Sequence, residues 1–192
     1  MNPYQVVTDF EKALSEYTGA PYVVCVNSCS SALLLALSRF QGTHVTFPSR
    51  TYCSAPMAAI HAGHTVGFRD LKWIGSYPLS PLPVIDSARR FTSQMYIPGQ
   101  FQCISFQTSK ILGLEQGGAI LHDDPEADIW FRRARFDGRL NASEKLPKQI
   151  GFHCYLSPSV AALGLQKLAC LPLHNEDQVV DFPDLSELDI WN

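Results

Sequence analysis

Nowhere in its 192 residues does the chain carry a Cys-x-x-Cys pair, a Gly-x-Gly-x-x-Gly or a Walker-type phosphate loop. Nor does any apolar run approach the roughly 18 to 20 residues that cross a membrane as a helix. Each absence removes a class. The six cysteines (25, 29, 53, 103, 154, 170) are scattered, most of them in apolar runs such as "YVVCV" and "QCISF", where reduced cysteine acts as a small hydrophobe. A disulfide scaffold and a cysteine zinc site are not expected. His61 and His64, in "HAGH", flank a helix-ending glycine and read as a surface turn, so no metal is assigned. The first residues, "MNPYQVVTDFEKALSEY", are polar and amphipathic rather than a basic segment followed by an apolar one. A soluble, cytoplasmic protein with no membrane partner is the expectation.

Basic residues are missing from "NEDQVVDFPDLSELDIWN", residues 175–192, which holds six acids and no Lys or Arg. Charge therefore sets an acidic C-terminal tail apart from a body of residues 1–174. "FRRARFDGRLNASEKLPK" (131–148) holds six basic residues against Asp137 and Glu144. It reads as a solvated helix face, with phosphates on a ligand or partner as the alternative.

What is present is a core. Hydrophobic residues make up 46% of the chain and charged ones 17%, which suits one globular domain. Asn2 and Pro3 read as an N-cap and first helical position, followed by Val6, Phe10, Leu14 and Tyr17 at helical spacing up to Gly19. Short apolar strands "YVVCV" (22–26), "HVTFP" (44–48), "HTVGFRD" (64–70), "LPVID" (82–86), "CISF" (103–106) and "GAILH" (118–122) then appear. Helical stretches lie in "SALLLALSRF", "YCSAPMAAIHAG", residues 125–136 and 157–171, where Pro158 suits N1. The proline-rich "LKWIGSYPLSPLP" (71–83) reads as a surface connection. This alternation predicts an α/β fold: a three-layer α/β/α arrangement around a mostly parallel sheet.

In such sheets ligands collect at the carboxyl ends of the strands. Four of those ends are polar here: "NSCSS", "PSRTY", "DSARR" and "SFQTSK". Asn27 to Ser31 turn from strand into helix and suit an anion such as phosphate, or are a plain serine cap. Asp86 ends an apolar strand, where a buried carboxylate needs a cation: Arg89 or Arg90, or a protonated ring nitrogen of a cofactor. Tyr52 supplies a stacking face or fills the core. Lys110 is a solvated loop charge or an amine placed for chemistry. Phosphate grip, aromatic face, buried acid and lysine together match what pyridoxal 5'-phosphate requires.

The same residues resemble the DegT/DnrJ/StrS sugar-nucleotide aminotransferases, pyridoxal-phosphate enzymes of the aspartate-aminotransferase fold (fold type I). "FEKALSEYTGAPYVVCVNSCSSALLLAL" resembles that family's helix, strand and phosphate loop, and "VTFPSRTYCSAPMAAIHAGHTVGFRD" the next unit. "VIDSARR" is similar to its Glu-Asp-(Ala/Ser)-Ala-Gln segment, and "SFQTSK" to Ser-Phe-x-x-(Thr/Ser)-Lys. The resemblance implies Ser28, Cys29, Ser30 and Ser105 at the phosphate, Tyr52 on the ring face, Asp86 at the ring nitrogen and Lys110 as Schiff-base lysine. It places Arg89 where the family has Gln or His. It places His153 where relatives have an asparagine that reaches a neighbouring subunit's phosphate.

The pattern also breaks. Glu115 and Gln116 precede "GG" in place of the usual glycine and acid, and Tyr155 and Pro158 replace Arg and Glu. The Asp70–Asp86 and Asp86–Lys110 intervals are shortened, and the family's opening segment and small C-terminal domain are expected to be absent. The resemblance implies an amino-group transfer between an amino acid and a keto-sugar, nucleotide-linked acceptor, in a homodimer. The alternatives are a decarboxylase, lyase or α-carbon transferase on a bulky substrate such as a modified nucleotide or nucleic acid, and a non-catalytic remnant.

Overall fold

The computed structural model describes residues 3–141 and 143–191. Helix α1 spans Gln5–Thr18, starting later than Pro3; the expected cap at Asn2 lies outside the described residues. Its buried stripe is Val7, Phe10, Glu11, Leu14 and Thr18, and it ends at Gly19. There φ is +79°, and the Gly19 amide donates to the Ser15 carbonyl, a left-handed cap that glycine adopts without a Cβ clash.

Seven strands follow: β1 Tyr22–Val26, β2 His44–Pro48, β3 Thr65–Arg69, β4 Tyr77–Pro78, β5 Val84–Asp86, β6 Phe101–Ser105 and β7 Gly118–His122. One sheet has the order β1-β7-β6-β5-β4, and β2 pairs with β3 in parallel. Three of the four pairings in the larger sheet are antiparallel; only β5 and β6 run side by side in the same direction. Direction along the whole array is nevertheless mostly parallel, because β1, β5 and β6 share one sense and β7 and β4 oppose it. The chain beyond β4 carries that array across to β2, since the Thr46 amide donates to the Ser80 carbonyl (2.9 Å) in an antiparallel bridge. That bridge gives β2 and β3 the same sense as β5.

Residues 77–80 thus correct the expectation of a surface connection over 71–83. Tyr77 and Leu79 are buried, at 2% and 0% exposure, while Pro78 and Ser80 face out. The period-2 alternation of a strand is there, hidden among prolines. Proline removes a donor, which only an edge or a short bridging segment tolerates.

Helices α2 (Cys29–Leu37), α3 (Ser54–His61) and α4 (Pro125–Ala134) contribute to one core cluster; α1 and α5 (Pro158–Ala169) contribute to the other. This is the expected three-layer order. Asp124 caps α4, accepting from the Glu126 and Ala127 amides, and Ser157 caps α5 with Pro158 at N1. His64 is no surface residue: it is buried, with one ring nitrogen 3.1 Å from the Thr43 amide and the other 3.1 Å from the Leu37 carbonyl. Both nitrogens are consumed by backbone.

Most of the basic cluster is consumed in the same way. Arg132 donates to the Glu11 carboxylate (2.7 Å) and to Asp128 (2.8 Å); Arg135 donates to Glu11 and to the Cys25 carbonyl. Arg133 faces Glu144 at 3.9 Å and Arg139 faces Asp137 at 3.3 Å. Arg132 and Arg135 thus tie α4 to α1 and to the edge strand β1, while Lys145 and Lys148 stay exposed.

Candidate active site

The double glycine decides how close the first loop comes to the sheet. Gly117 has φ +121°, and a Cβ on Gly118 would lie 2.6 Å from the Cys29 nitrogen and 2.7 Å from the Ile104 oxygen. Only glycine lets the start of α2 rest on β6 and β7. Ser28 is the N-cap of α2, its Oγ accepting from the Ser31 amide (3.1 Å). The Cys29 and Ser30 amides occupy the first turn, where no intrahelical acceptor exists and the helix dipole is positive. The Ser30 hydroxyl meets that of Ser54 at the start of α3 (2.6 Å). Burial, and then the Asp86 charge, push the Cys29 thiol well above its usual value, so this residue offers an amide rather than a thiolate.

Asp86 closes β5 and is 5% exposed. Its Oδ1 accepts from the Ala88 amide (2.9 Å) and its Oδ2 from the Tyr77 hydroxyl (2.8 Å); the Thr51 hydroxyl lies 2.7 Å from that same phenol oxygen. Burial raises the Asp86 pKa, opposed by these two donors and by the Lys110 and Arg89 charges. Burial, and then Asp86 itself, hold the Tyr77 phenol well above its usual value, so it remains a donor. Beyond β6 the chain turns, with the Lys110 amide donating to the Gln107 carbonyl (2.7 Å). Burial lowers the Lys110 pKa, the Arg89 guanidinium lowers it further, and Cys29 and Asp86 oppose the shift.

These pieces enclose a cavity of about 400 Å³. Ser28, Cys29, Ser30, Tyr52, Asp86, Arg89, Ser105 and Lys110 all line it, although they come from four separate strand ends. Tyr52 stands at the rim, 61% exposed. His153 is the exception: it lies outside this cavity. A bridge to Phe136 pins its segment beside the end of α4, and its exposed ring meets Asp137 at 3.0 Å. A role at the cofactor within its own subunit does not fit that placement. The sequence reading missed four residues that the fold adds: Thr51 and Tyr77 behind Asp86, and Trp73 and Phe182 on the cavity wall. For Tyr77 the signal was the buried–exposed alternation through "YPLS".

A family profile, DegT/DnrJ/EryC1/StrS aminotransferase, matches residues 1–81 and 97–179. The chain belongs to this family. A relative from Campylobacter jejuni, UDP-4-amino-4,6-dideoxy-N-acetyl-beta-L-altrosamine transaminase, is 25% identical across 93% of the chain and 61% of its own length. Spore coat polysaccharide biosynthesis protein SpsC of Bacillus subtilis is 38% identical across 70% of the chain and 35% of its own. Among solved structures, a DegT DnrJ EryC1 StrS aminotransferase from Brucella abortus superposes with a TM-score of 0.74 at 21% identity, covering 85% of this chain and 58% of that one. Ntda from Bacillus subtilis, solved with bound cofactor PMP, gives 0.67 at 18%, covering 85% and 47%. The chain thus spans between about a third and three fifths of these relatives, and its fold is that of type I aminotransferases. Residues 82–96 and those beyond 179 fall outside the family match, so Asp86, Arg89 and Phe182 are placed by geometry.

Proposed function

We propose that this chain binds pyridoxal 5'-phosphate and moves an amino group between an amino acid and a keto-sugar acceptor. One observation carries the reading: Lys110, Asp86 and the first-turn residues of α2, Cys29 and Ser30, line a single cavity. The residues fit the cofactor. The Cys29 and Ser30 amides, with the Ser28, Ser30 and Ser105 hydroxyls, would hold its phosphate. Tyr52 would cover one face of the ring, and Asp86 would accept from the ring nitrogen. Arg89 would stand beside both Asp86 and Lys110. When bound, the cofactor supplies an aldehyde for the amino group and a protonated ring that draws electrons from the substrate's α-carbon.

Lys110 Nζ has two tasks on this reading. Its lowered pKa enlarges the neutral fraction of the amine, which would hold the cofactor's aldehyde and would carry the proton taken from the substrate's α-carbon. Asp86 keeps a carboxylate behind the ring, held in place by Tyr77 and Ala88. A homodimer in the cytoplasm is part of the proposal. His153, exposed and outside its own cavity, would serve a partner's phosphate. The six cysteines are all unpaired in this structure, which suits a reducing compartment. The nucleic-acid reading loses its motive, because most of the basic cluster is ion-paired within the fold.

The test is the visible absorbance of purified protein titrated with pyridoxal phosphate and then with L-glutamate. A band present in the wild type, absent in Lys110→Ala and converted by glutamate is expected. A wild type that forms no band would sink the proposal.

A further inference from the structure

Arg90, Arg132, Arg133, Arg135 and Arg139 each face a carboxylate. Arg89 meets none among the described residues, although it is half-buried and lines the cavity. Its Nη1 donates instead to a neutral acceptor, the Gln178 Oε1 (3.2 Å), and its Nε is buried without any acceptor. Burial lowers the Arg89 pKa; Asp86 opposes that shift through its charge, while its own hydrogen bonds go to Tyr77 and Ala88. A guanidinium stays charged, so leaving one of its buried donors unpaired is costly. Arg89 also stands where the resemblance puts Gln or His, which makes this cation a departure of the chain itself.

Gln178 reaches Arg89 from the acidic tail. Its amide donates to the Arg89 carbonyl (2.9 Å) and its Nε2 to the Ser109 carbonyl (3.0 Å). The Oε1 is thereby held between Arg89 and the residue that precedes Lys110. Four residues on, Phe182 lines the same cavity, its ring centroid 5.7 Å from the Arg89 Cζ. The tail thus gives this guanidinium a carbonyl oxygen and a ring, and no negative charge. Its acids are engaged elsewhere: Asp177 accepts from Arg90 (3.3 Å), and Asp184 from the Ser49 and Ser186 hydroxyls. In a stretch that holds six acids, the side chain facing Arg89 is a neutral one. An acid there would neutralise the cation for good, whereas an amide can be displaced by an anion.

We propose that Arg89 is the receptor for a carboxylate of the amino-acid substrate, and that Gln178 Oε1 holds its place in the empty cavity. The inference rests on the amino-transfer reading and deepens it. A carboxylate offers two oxygens to the fork of one guanidinium, so it can satisfy Nε as well as Nη1, which a single amide oxygen does not. Arg89 and Lys110 share the cavity, so an amino acid anchored at this cation has its amino group on the side of the amine. Gln178 must give way, which reduces the apparent affinity by the fraction of molecules in which it is docked. A neutral keto sugar has no carboxylate and leaves that contact in place. Arg89 therefore serves one of the two substrates.

The experiment is calorimetric titration of the full chain with glutarate, an unreactive carboxylate probe, and with inorganic phosphate as a second anion. Arg89→Gln should bind glutarate about tenfold more weakly than wild type, the loss expected when a hydrogen bond to a charged group goes. Phosphate, whose proposed seat is the first turn of α2, should not distinguish the two. Gln178→Ala should bind glutarate about tenfold more tightly than wild type, the gain expected if the docked amide dominates by that factor. In the Arg89→Gln background the same change should have no effect. A gain in affinity cannot come from misfolding, which keeps this arm independent of stability. Equal glutarate affinity in wild type and Arg89→Gln overturns the proposal, as does a Gln178→Ala variant that binds no tighter. So does a loss at Arg89 that is the same for phosphate, which would assign the guanidinium to the cofactor's phosphate, and so does a chain that binds no glutarate in any variant. The titration does not require the cofactor. Failure of the absorbance band would therefore strike the cofactor reading, and failure of the titration the receptor.

Discussion

Glu11 and Asp86 are both buried carboxylates, 3% and 5% exposed, and the protein treats them oppositely. At Glu11 burial would raise the pKa, but Arg135, Arg132 and the Cys25 amide outweigh it and the group titrates below its ordinary value. At Asp86 burial wins, and the pKa is raised. The difference lies in the partners. Glu11 meets two guanidiniums and a backbone amide, so its charge is neutralised where it stands. Asp86 meets one phenol and one amide as hydrogen-bond donors, while Lys110 and Arg89 act on it through their charge alone. A carboxylate saturated with cations holds the fold together. One left short of a cation has capacity for a ligand's proton.

The largest effect that would test this contrast is at Asp86. Asp86→Asn should lower kcat/KM for amino transfer by on the order of a thousandfold, the scale lost when a preorganised charge is removed from a site. Stability should change by less than about 1 kcal/mol, since a neutral amide relieves the cost of burying a charge. Urea melts alongside steady-state rates would check both. A variant as active as wild type would remove Asp86 from the site.

Glu11→Gln should do the reverse. Two guanidiniums would keep Asp128 and the Val23 and Cys25 carbonyls but lose their buried countercharge, and breaking a buried pair costs about 3–5 kcal/mol. Cofactor binding, measured at a temperature where the variant is folded, should be retained. The pH dependence has a definite sign. Because the folded pKa is below the ordinary 4.5, this group's stabilisation is present above that value and lost as pH falls through the folded one. The Gln variant should lack that acid-side loss. Melting midpoints that track wild type across the acid range would contradict the assignment.

How much of this was legible beforehand follows the same division. The loop lysine, the acid at the end of "VID" and the serine turn were readable because each combines a local pattern with a residue type that is costly there without a reason. The helices and most strands were readable from periodicity. The Glu11 cluster was not: Glu11 sits on an amphipathic helix where a charge looks solvated, and Arg132 and Arg135 are 121 and 124 residues away. Only the packing of α4 beside β1 brings them together. Tyr77 was hidden by prolines that suggested a surface loop. Phe182 was hidden by the acidity around it. His153 was placed by likeness of sequence at a neighbouring subunit's phosphate, and Phe136 and Asp137 hold its segment outside its own cavity.

Tyr77→Phe makes the smallest and sharpest cut. It removes one donor from Asp86 while keeping the ring that packs on Trp73 (centroids 4.7 Å). One hydrogen bond to a charged group is worth about 1.5–3 kcal/mol before the site relaxes, and a tenfold fall in kcat/KM is the expected scale. The direction in pH matters more than the size. The phenol stabilises the ionised carboxylate, so its loss should raise the Asp86 pKa further. The acid limb of the kcat/KM profile should then move to higher pH, as the carboxylate is protonated sooner on descent. The linked stability term has the opposite sign to that at Glu11. With a folded pKa raised above 3.8, Asp86 favours the native state below that value, and the advantage disappears as pH rises through the folded pKa. Tyr77→Phe should stretch that window upward, whereas Glu11→Gln should erase its own. An acid limb that stays in place would mean that Ala88 and the fold alone set the Asp86 charge, and that the phenol is only packing.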